Sequence, residues 1–76
     1  MHVRIYTLDN CKYCEMAKNF LRKKGVKFEE ADIKENKESF KKIVEITGQM
    51  SVPIIEIEDE IFVGFHRSEI ERALNK

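Results

Sequence analysis

The sequence has no excess of either charge and no long hydrophobic run. Its 14 basic and 14 acidic residues give a formal net charge of zero, so the chain lacks the positive field that drives non-specific binding to nucleic acids. No stretch approaches the roughly 18 apolar residues of a membrane-spanning helix, and the first residues lack the length and flanks of a signal peptide. These absences predict a soluble, cytoplasmic protein that binds neither nucleic acid nor membrane.

Internal repeats, linkers and low-complexity segments are absent as well. The chain has 76 residues, of which 42% are hydrophobic, and this composition is sufficient for one small core. Aromatic and aliphatic residues interrupt the many charges, unlike in a disordered polyampholyte. We therefore expect a monomer with one domain over residues 1–76.

The hydrophobic pattern predicts seven elements in the order β-α-β-α-β-β-α. The expected strands are His2–Thr7, Val26–Ile33, Pro53–Ile57 and Ile61–Val63, and the expected helices are residues 11–24, Asn36–Thr47 and Ser68–Leu74. The first strand, helix and second strand are expected to form a right-handed βαβ unit. The last two strands are expected to form a hairpin through Glu58-Asp59-Glu60.

Two helices have further sequence signals. Gly25 is expected to cap the end of the first helix. The apolar residues of this helix, which recur at three- and four-residue spacing, are Tyr13, Met16, Ala17, Phe20 and Leu21. The last helix is expected to begin at Ser68, because Ser68 and Glu71 have the spacing of a capping box.

The only cysteines are Cys11 and Cys14, in the segment Cys11-Lys12-Tyr13-Cys14. A disulfide between them would close a very short loop, which the chain-entropy model credits with roughly 2 kcal/mol before ring strain is subtracted. Such a bond would be a poor structural crosslink. A closely spaced pair in a cytosolic protein instead indicates redox or metal chemistry.

The predicted position of this pair favours redox chemistry. Cys11 is expected where the loop after the first strand meets the first helix, and Cys14 one turn further along. Free backbone N–H groups and the helix dipole favour a thiolate at a helix start, and Lys12 adds to that effect. We therefore expect Cys11 to be the nucleophile and Cys14 to resolve a mixed disulfide formed at Cys11.

The Cys-x-x-Cys spacing also occurs in zinc sites. Such a site needs two more ligands, and the chain offers only His2 and His66 besides scattered carboxylates. We expect no metal ligands of that kind here. The alternative that stays open is an iron–sulfur or metal carrier in which a second chain or outside thiols complete the ligand set. A redox-regulated adaptor without turnover is a further alternative.

Three motifs in this order resemble the glutaredoxin family over the full chain. They are Cys11-Lys12-Tyr13-Cys14, Ser51-Val52-Pro53 and Gly64-Phe65. The resemblance implies an α/β protein with the thioredoxin fold in its minimal glutaredoxin-like form, a four-stranded mixed sheet with three helices. It also implies a thiol-disulfide oxidoreductase that reduces protein or mixed disulfides without a required cofactor. Its redox-active Cys11–Cys14 disulfide would be re-reduced by glutathione or by a flavin-dependent reductase.

The resemblance further implies residues that bind substrate. Pro53 is expected to follow a cis peptide bond beside the two sulfurs, and Val52 to pair its backbone with an extended substrate. Tyr13 corresponds to an aromatic residue of the family's substrate groove, although a half-buried packing residue would show the same pattern. Lys12, which replaces the proline most familiar at that position, and Gly64 complete the expected substrate-binding set.

Two positions differ from glutaredoxins that use glutathione. Leu8 stands where they generally have a cation three residues before the first cysteine, and their Gly-Gly followed by an acidic residue is missing around Gly64. Gly64-Phe65 followed by a basic residue is more like the small redoxins that serve ribonucleotide reductase and are reduced by thioredoxin reductase. Lys12, His66 and Arg67 still offer positive charge to glutathione carboxylates, so both electron donors stay open.

Overall fold

Seven elements follow one another in the predicted order. The computed structural model describes residues 1–75. Its elements are β1 (Val3–Thr7), α1 (Lys12–Lys23), β2 (Glu29–Asp32), α2 (Lys37–Thr47), β3 (Ile54–Ile57), β4 (Glu60–Val63) and α3 (Arg67–Leu74). The predicted order and α/β class are confirmed.

The four strands form one mixed sheet in the order β2-β1-β3-β4. β1 runs parallel to β2 and antiparallel to β3, and β4 runs antiparallel to β3. The carboxyl ends of β1, β2 and β4 therefore meet the amino end of β3 at one end of the sheet. Cys11 follows β1, Pro53 precedes β3 and Gly64 follows β4, so the topology places all three at this end.

Two apolar cores lie on opposite faces of the sheet. Successive side chains of a strand point to opposite faces, and Ile54 and Ile55 accordingly belong to different cores. The core beneath α1 and α3 consists of Val3, Ile5, Ala17, Phe20, Leu21, Ile55, Ile57, Ile70 and Ala73. The core beneath α2 consists of Tyr6, Ala31, Ile43 and Ile54. Helices thus cover both faces, as the minimal thioredoxin fold requires.

Helix α1 ends where the sequence predicts. The Gly25 N–H donates to the Arg22 carbonyl and the Val26 N–H donates to the Leu21 carbonyl, each at 3.0 Å. This pair of hydrogen bonds is a Schellman motif, which satisfies carbonyls left free at the helix end.

Within residues 1–75, no helix combines the length and apolar character that crossing a membrane demands.

The second strand is shorter than predicted. β2 begins at Glu29 rather than Val26, because Val26 still takes part in the end of α1 and β1 pairs only with residues 29–32. The periodic pattern before Glu29 reflects partial burial of Val26 and Phe28 against the core. The alternating apolar pattern in the sequence therefore begins before the residues of β2 that pair with β1.

The buried face of α1 is narrower than predicted. Its buried residues are Cys14, Ala17, Phe20 and Leu21, whereas Tyr13 is 61% exposed and Met16 is 43% exposed. Tyr13 and Met16 lie in the same row of the helix as Phe20, beside the row that faces the sheet. The ring centre of Phe65 lies 5.8 Å from that of Phe20, which is buried.

The start of α3 also differs from the prediction. The helix begins at Arg67 with His66 as its N-cap residue, and the Ile70 N–H donates to the His66 carbonyl at 3.0 Å. The predicted capping box at Ser68 is therefore wrong. The extended backbone of His66 starts the helix, and its ring nitrogen Nε2 lies 3.1 Å from the Val63 carbonyl oxygen.

Candidate redox site

Cys11 and Cys14 lie at the start of α1 and are joined as a disulfide. Their Cα atoms are 5.2 Å apart, within the usual range for such a bond. Cys11 is the N-cap residue, and its Sγ accepts a hydrogen bond from the Cys14 N–H at 3.1 Å. The sulfur therefore occupies the place of a capping oxygen. In the dithiol state, this N–H and the helix dipole would stabilise negative charge on Cys11 Sγ.

The two cysteines differ in access to solvent. Cys11 is half-buried, whereas Cys14 is only 1% exposed. A large molecule that approaches this disulfide therefore reaches Cys11 before Cys14. This asymmetry is the one that a nucleophilic Cys11 and a resolving Cys14 require.

Pro53 and Gly64 are linked beside this end of the sheet. The Val52–Pro53 peptide bond is cis, as the family resemblance implies, and Pro53 is buried. Tyr6 is paired with Ile54, so Pro53 lies next to the end of β1. The Gly64 N–H donates to the Pro53 carbonyl at 2.7 Å, which joins the segment before β3 to the segment after β4.

The side chains of His66 and Arg67, which follow Gly64, make local contacts. The His66 ring approaches the Val63 carbonyl, and a Cβ built on Gly64 would lie 3.2 Å from His66 Nε2. The Arg67 guanidinium lies over the Phe20 ring, 5.3 Å from its centre. Two of the three candidate partners for glutathione carboxylates, His66 and Arg67, thus make contacts within the protein.

A cleft of about 550 Å³ opens beside Cys11 on the β2 side of the site. It is lined by the loop between β1 and α1, the first half of α1 and the β2 strand. Its charged lining residues are Asp9, Lys12, Glu15, Lys18, Glu30 and Asp32. Leu8 also lines the cleft and is 38% exposed, so an apolar side chain occupies the position where the family generally has a cation.

Lys18 connects α1 to β2 inside this cleft. Its Nζ lies 2.6 Å from Glu15 Oε2 and 3.0 Å from Glu30 Oε2, and Thr7 Oγ1 donates to the same Glu30 oxygen at 3.0 Å. The hydrogen bonds to Glu15 and then Glu30 raise the pKa of Lys18. The hydrogen bond from Lys18, and after it that from Thr7, lowers the pKa of Glu30 despite partial burial. Both groups are therefore charged at neutral pH.

Comparison with known proteins identifies the family. The family model described as Glutaredoxin matches residues 3–63, a range that contains both cysteines and Pro53. The chain belongs to the glutaredoxin family. The redox-active disulfide and the thioredoxin fold implied by the sequence are thereby supported.

Relatives and structural neighbours of this glutaredoxin-family chain include NrdH proteins. The glutaredoxin-like protein NrdH of Lactococcus lactis is 34% identical over 70 residues, which cover 92% of this chain and 96% of that protein. Glutaredoxin 3 of Escherichia coli is 39% identical over 63 residues, covering 83% and 76% of the two chains. The solved structure of the NrdH-redoxin from Escherichia coli superposes with a TM-score of 0.83 at 25% identity, covering 95% of this chain and 93% of that one.

The structure places the predicted site residues of this family member unequally. Cys11, Cys14, Pro53 and Gly64 lie at the same end of the sheet, and Val52, which precedes Pro53, is half-buried. Lys12 is exposed and lines the cleft with Cys11. The exposed Tyr13 is not the half-buried packing residue that one interpretation of the sequence expected.

The sequence analysis did not identify the contact between Lys18 and Glu30. The one signal available was the seven-residue separation of Cys11 and Lys18, which puts them on the same face of a helix two turns apart. Glu30 has no comparable signal, since its approach to Lys18 depends on how β2 packs beside α1.

The two histidines do not join the cysteines. His2 precedes β1 and lies at the opposite end of that strand from Cys11, while the His66 ring contacts Val63. Within the described range 1–75, no group of three or more His, Cys, Asp or Glu side chains has an arrangement that could hold a metal ion.

Proposed function

We propose that this protein, as a cytoplasmic monomer, reduces protein disulfides or mixed disulfides by a dithiol mechanism at Cys11 and Cys14. One observation carries the proposal, namely a half-buried Cys11 at the start of α1 with the fully buried Cys14 bonded to it. Membership in the glutaredoxin family supports the same chemistry.

The proposed reaction has two exchange steps. The Cys11 thiolate attacks one sulfur of the substrate disulfide, and the second substrate sulfur leaves as a thiolate that takes up a proton. Cys14 then loses its proton and attacks the Cys11 sulfur of the mixed disulfide, which releases the remaining substrate thiol. Two electrons have passed to the substrate, and the Cys11–Cys14 disulfide is left.

The residues around the disulfide would hold an extended substrate segment. The Val52 backbone before the buried Pro53 is proposed to pair with the substrate backbone as a short added strand. Gly64, whose N–H donates to the Pro53 carbonyl, is proposed to border that segment. Lys12 and the exposed Tyr13 are proposed to contact the substrate at the rim of the site.

The electron donor is glutathione or a flavin-dependent reductase, and three observations favour the reductase. Leu8 offers no cation to a glutathione carboxylate, and Arg67 is stacked on Phe20. The chain also resembles NrdH proteins, of which the one from Escherichia coli is described as having a thioredoxin-like activity profile.

A coupled assay tests both parts of the proposal. NADPH consumption with a small disulfide substrate would be followed with glutathione plus glutathione reductase, and separately with thioredoxin reductase. We expect faster turnover with thioredoxin reductase. Equal or faster turnover through glutathione would contradict the proposed donor while supporting the dithiol chemistry.

Cysteine variants test the separate roles in that assay. Cys11→Ser is expected to abolish turnover with either donor, because the attacking thiolate is lost. Cys14→Ser is expected to lose protein disulfide reduction and to retain monothiol exchange with mixed disulfides only where glutathione is accepted. Equal loss of activity in both variants for every substrate would contradict the assigned roles. A wild-type protein without turnover in either assay would favour the alternative of a metal or cluster carrier, which is tested by measuring bound metal.

A further inference from the structure

We propose that Lys18 and Glu30 form a charge pair that sets the stability of the Cys11 thiolate and thereby the redox potential of the Cys11–Cys14 couple. The inference rests on the proposed dithiol chemistry and extends it to two residues outside the motif. Both are positioning residues, since they act on the sulfur through the electric field of the cleft.

Lys18 lies in the same cleft as Cys11, so its charge contributes to the electric field beside the Cys11 sulfur. The two residues lie two turns apart on one face of α1 and line the same cleft. Helical side chains lean toward the helix N-terminus, and the contact of Lys18 with Glu15, one turn nearer Cys11, shows this direction. The Lys18 side chain is only 11% exposed, so solvent screens its charge less than that of a surface lysine.

The cleft would be unfavourable for a thiolate without Lys18. Its anionic residues are Asp9, Glu15, Glu30 and Asp32, and its cationic residues are Lys12 and Lys18. Asp9 is paired with Lys34 at the rim, and Lys12 is exposed. On the other side of the site, Val52, Pro53 and Gly64 carry no charge. Lys18 is therefore the partly buried cation of the cleft, and Glu30 is the anion that partly cancels its field at Cys11.

Removing either partner has opposite consequences for the thiolate. Lys18→Gln removes a positive charge and leaves Glu15 and Glu30 near Cys11, so the thiolate loses stability and the dithiol form becomes less favourable. Glu30→Gln removes a negative charge while Lys18 keeps its contact with Glu15, so the thiolate gains stability. Both replacements break the same ion pair, and a merely structural role would move both variants in the same direction.

To test this inference, the protein is equilibrated at neutral pH with reduced and oxidised glutathione as a chemical reference couple, and the ratio of its dithiol and disulfide forms is measured. We expect Lys18→Gln to shift the equilibrium constant roughly threefold to tenfold toward the disulfide, and Glu30→Gln to shift it by a similar factor toward the dithiol. A tenfold change corresponds to about 30 mV. The thiolate absorbance of the reduced protein at about 240 nm should fall in Lys18→Gln and rise in Glu30→Gln.

Matched controls come from the ion pair of Lys24 and Glu71, which joins the opposite end of α1 to α3. Lys24→Gln and Glu71→Gln change the net charge in the same two ways and are expected to leave the equilibrium constant near the wild-type value. Lys18→Arg keeps the charge and is expected to stay close to wild type.

Two results would overturn the inference. Shifts of the Lys18→Gln and Glu30→Gln variants in the same direction would show a structural effect, and shifts no larger than those of the controls would show that the pair does not act on Cys11. In both cases the wild-type cysteines would still equilibrate, so the proposed dithiol chemistry would stand. A wild-type protein whose cysteines exchange with neither this couple nor a dithiothreitol couple would refute that chemistry together with this inference.

Discussion

Gly64 illustrates how much the site depends on single backbone positions. Its φ of +90° lies in a region that L-residues with a side chain rarely adopt. A Cβ there would also approach the His66 ring, which contacts the Val63 carbonyl. Two independent constraints therefore favour glycine at this position, where the backbone also donates to Pro53.

A residue with a side chain in the left-handed region is strained by about 1–2 kcal/mol. We expect Gly64→Ala to lower the free energy of unfolding by more than this strain. Gly48 provides the control, since its φ is +72° and a Cβ there would meet no atom within 4 Å. Urea denaturation of Gly64→Ala and Gly48→Ala measures the difference that belongs to the His66 contact. A Gly64→Ala variant no less stable than Gly48→Ala would contradict that contribution, whereas adding His66→Ala should remove the excess.

Among the helices, α3 is the one whose capping residue the sequence predicts wrongly. Ser68 and Glu71 have the spacing of a capping box, yet the helix begins at Arg67 because the turn from Gly64 to His66 already orients the chain. At the start of α1, a sulfur caps the helix in place of an oxygen. The extended backbone of His66 and its local contacts therefore mark where α3 begins.

We expect Ser68→Ala to change the free energy of unfolding by no more than about 0.5 kcal/mol, because Ser68 lies within the helix and is exposed. Ile70, fully buried in the same helix, is the comparison, and Ile70→Ala is expected to cost about 2–5 kcal/mol. Chemical denaturation of both variants provides the measurement. A loss of about 1 kcal/mol or more in Ser68→Ala would restore the capping interpretation.

The order of the helices and strands and the role of the cysteine pair as the centre of the site could be predicted from the sequence, because their signals are local. Apolar spacing identified α1 and α2, and the Cys-x-x-Cys motif identified the centre of the site. The extent of β2 was not predictable, since residues before Glu29 face the core without pairing to β1. The pairing of Lys18 with Glu30 was not predictable either, because it arises only when α1 packs against the sheet.

At the scale of the whole molecule, ion pairs between a lysine and a carboxylate tie separate segments of the described residues together. Asp9 pairs with Lys34 between the loops after β1 and β2, Glu30 pairs with Lys18 between β2 and α1, and Glu71 pairs with Lys24 between α3 and the end of α1. In each pair the hydrogen bond from the lysine is the main reason that the pKa of the carboxyl group lies below its ordinary value. The pKa values of Lys18 and Lys34 are raised by the same kind of contact.

These shifts predict a stability plateau around neutral pH. A carboxylate with a lowered folded-state pKa stabilises the protein above its unfolded value, here about 4.5 for glutamate, and this contribution is lost as the pH falls through the folded value. A lysine with a raised pKa contributes fully below its unfolded value of about 10.5 and loses the contribution as the pH rises through the folded value. Urea midpoints measured from about pH 3 to pH 11 should fall at both ends.

Glu30→Gln is the informative variant for this profile. Its stability deficit relative to wild type should be present at neutral pH and should shrink in acid, where the wild-type carboxylate is also neutral. A deficit that stays constant across the acid range would show that packing of the side chain, rather than its charge, is responsible.

The burial of Cys14 next to Cys11 also bears on oxidative damage. Peroxide would convert the accessible Cys11 thiolate to a sulfenic acid, and the neighbouring Cys14 thiol can condense with that group, releasing water and forming the Cys11–Cys14 disulfide. Oxidation by peroxide and the proposed turnover would thus end in the same Cys11–Cys14 disulfide, which can be reduced again. Mass spectra of the peroxide-treated reduced protein should show the loss of two hydrogens, whereas added oxygen atoms would show that capture by Cys14 is too slow to protect Cys11.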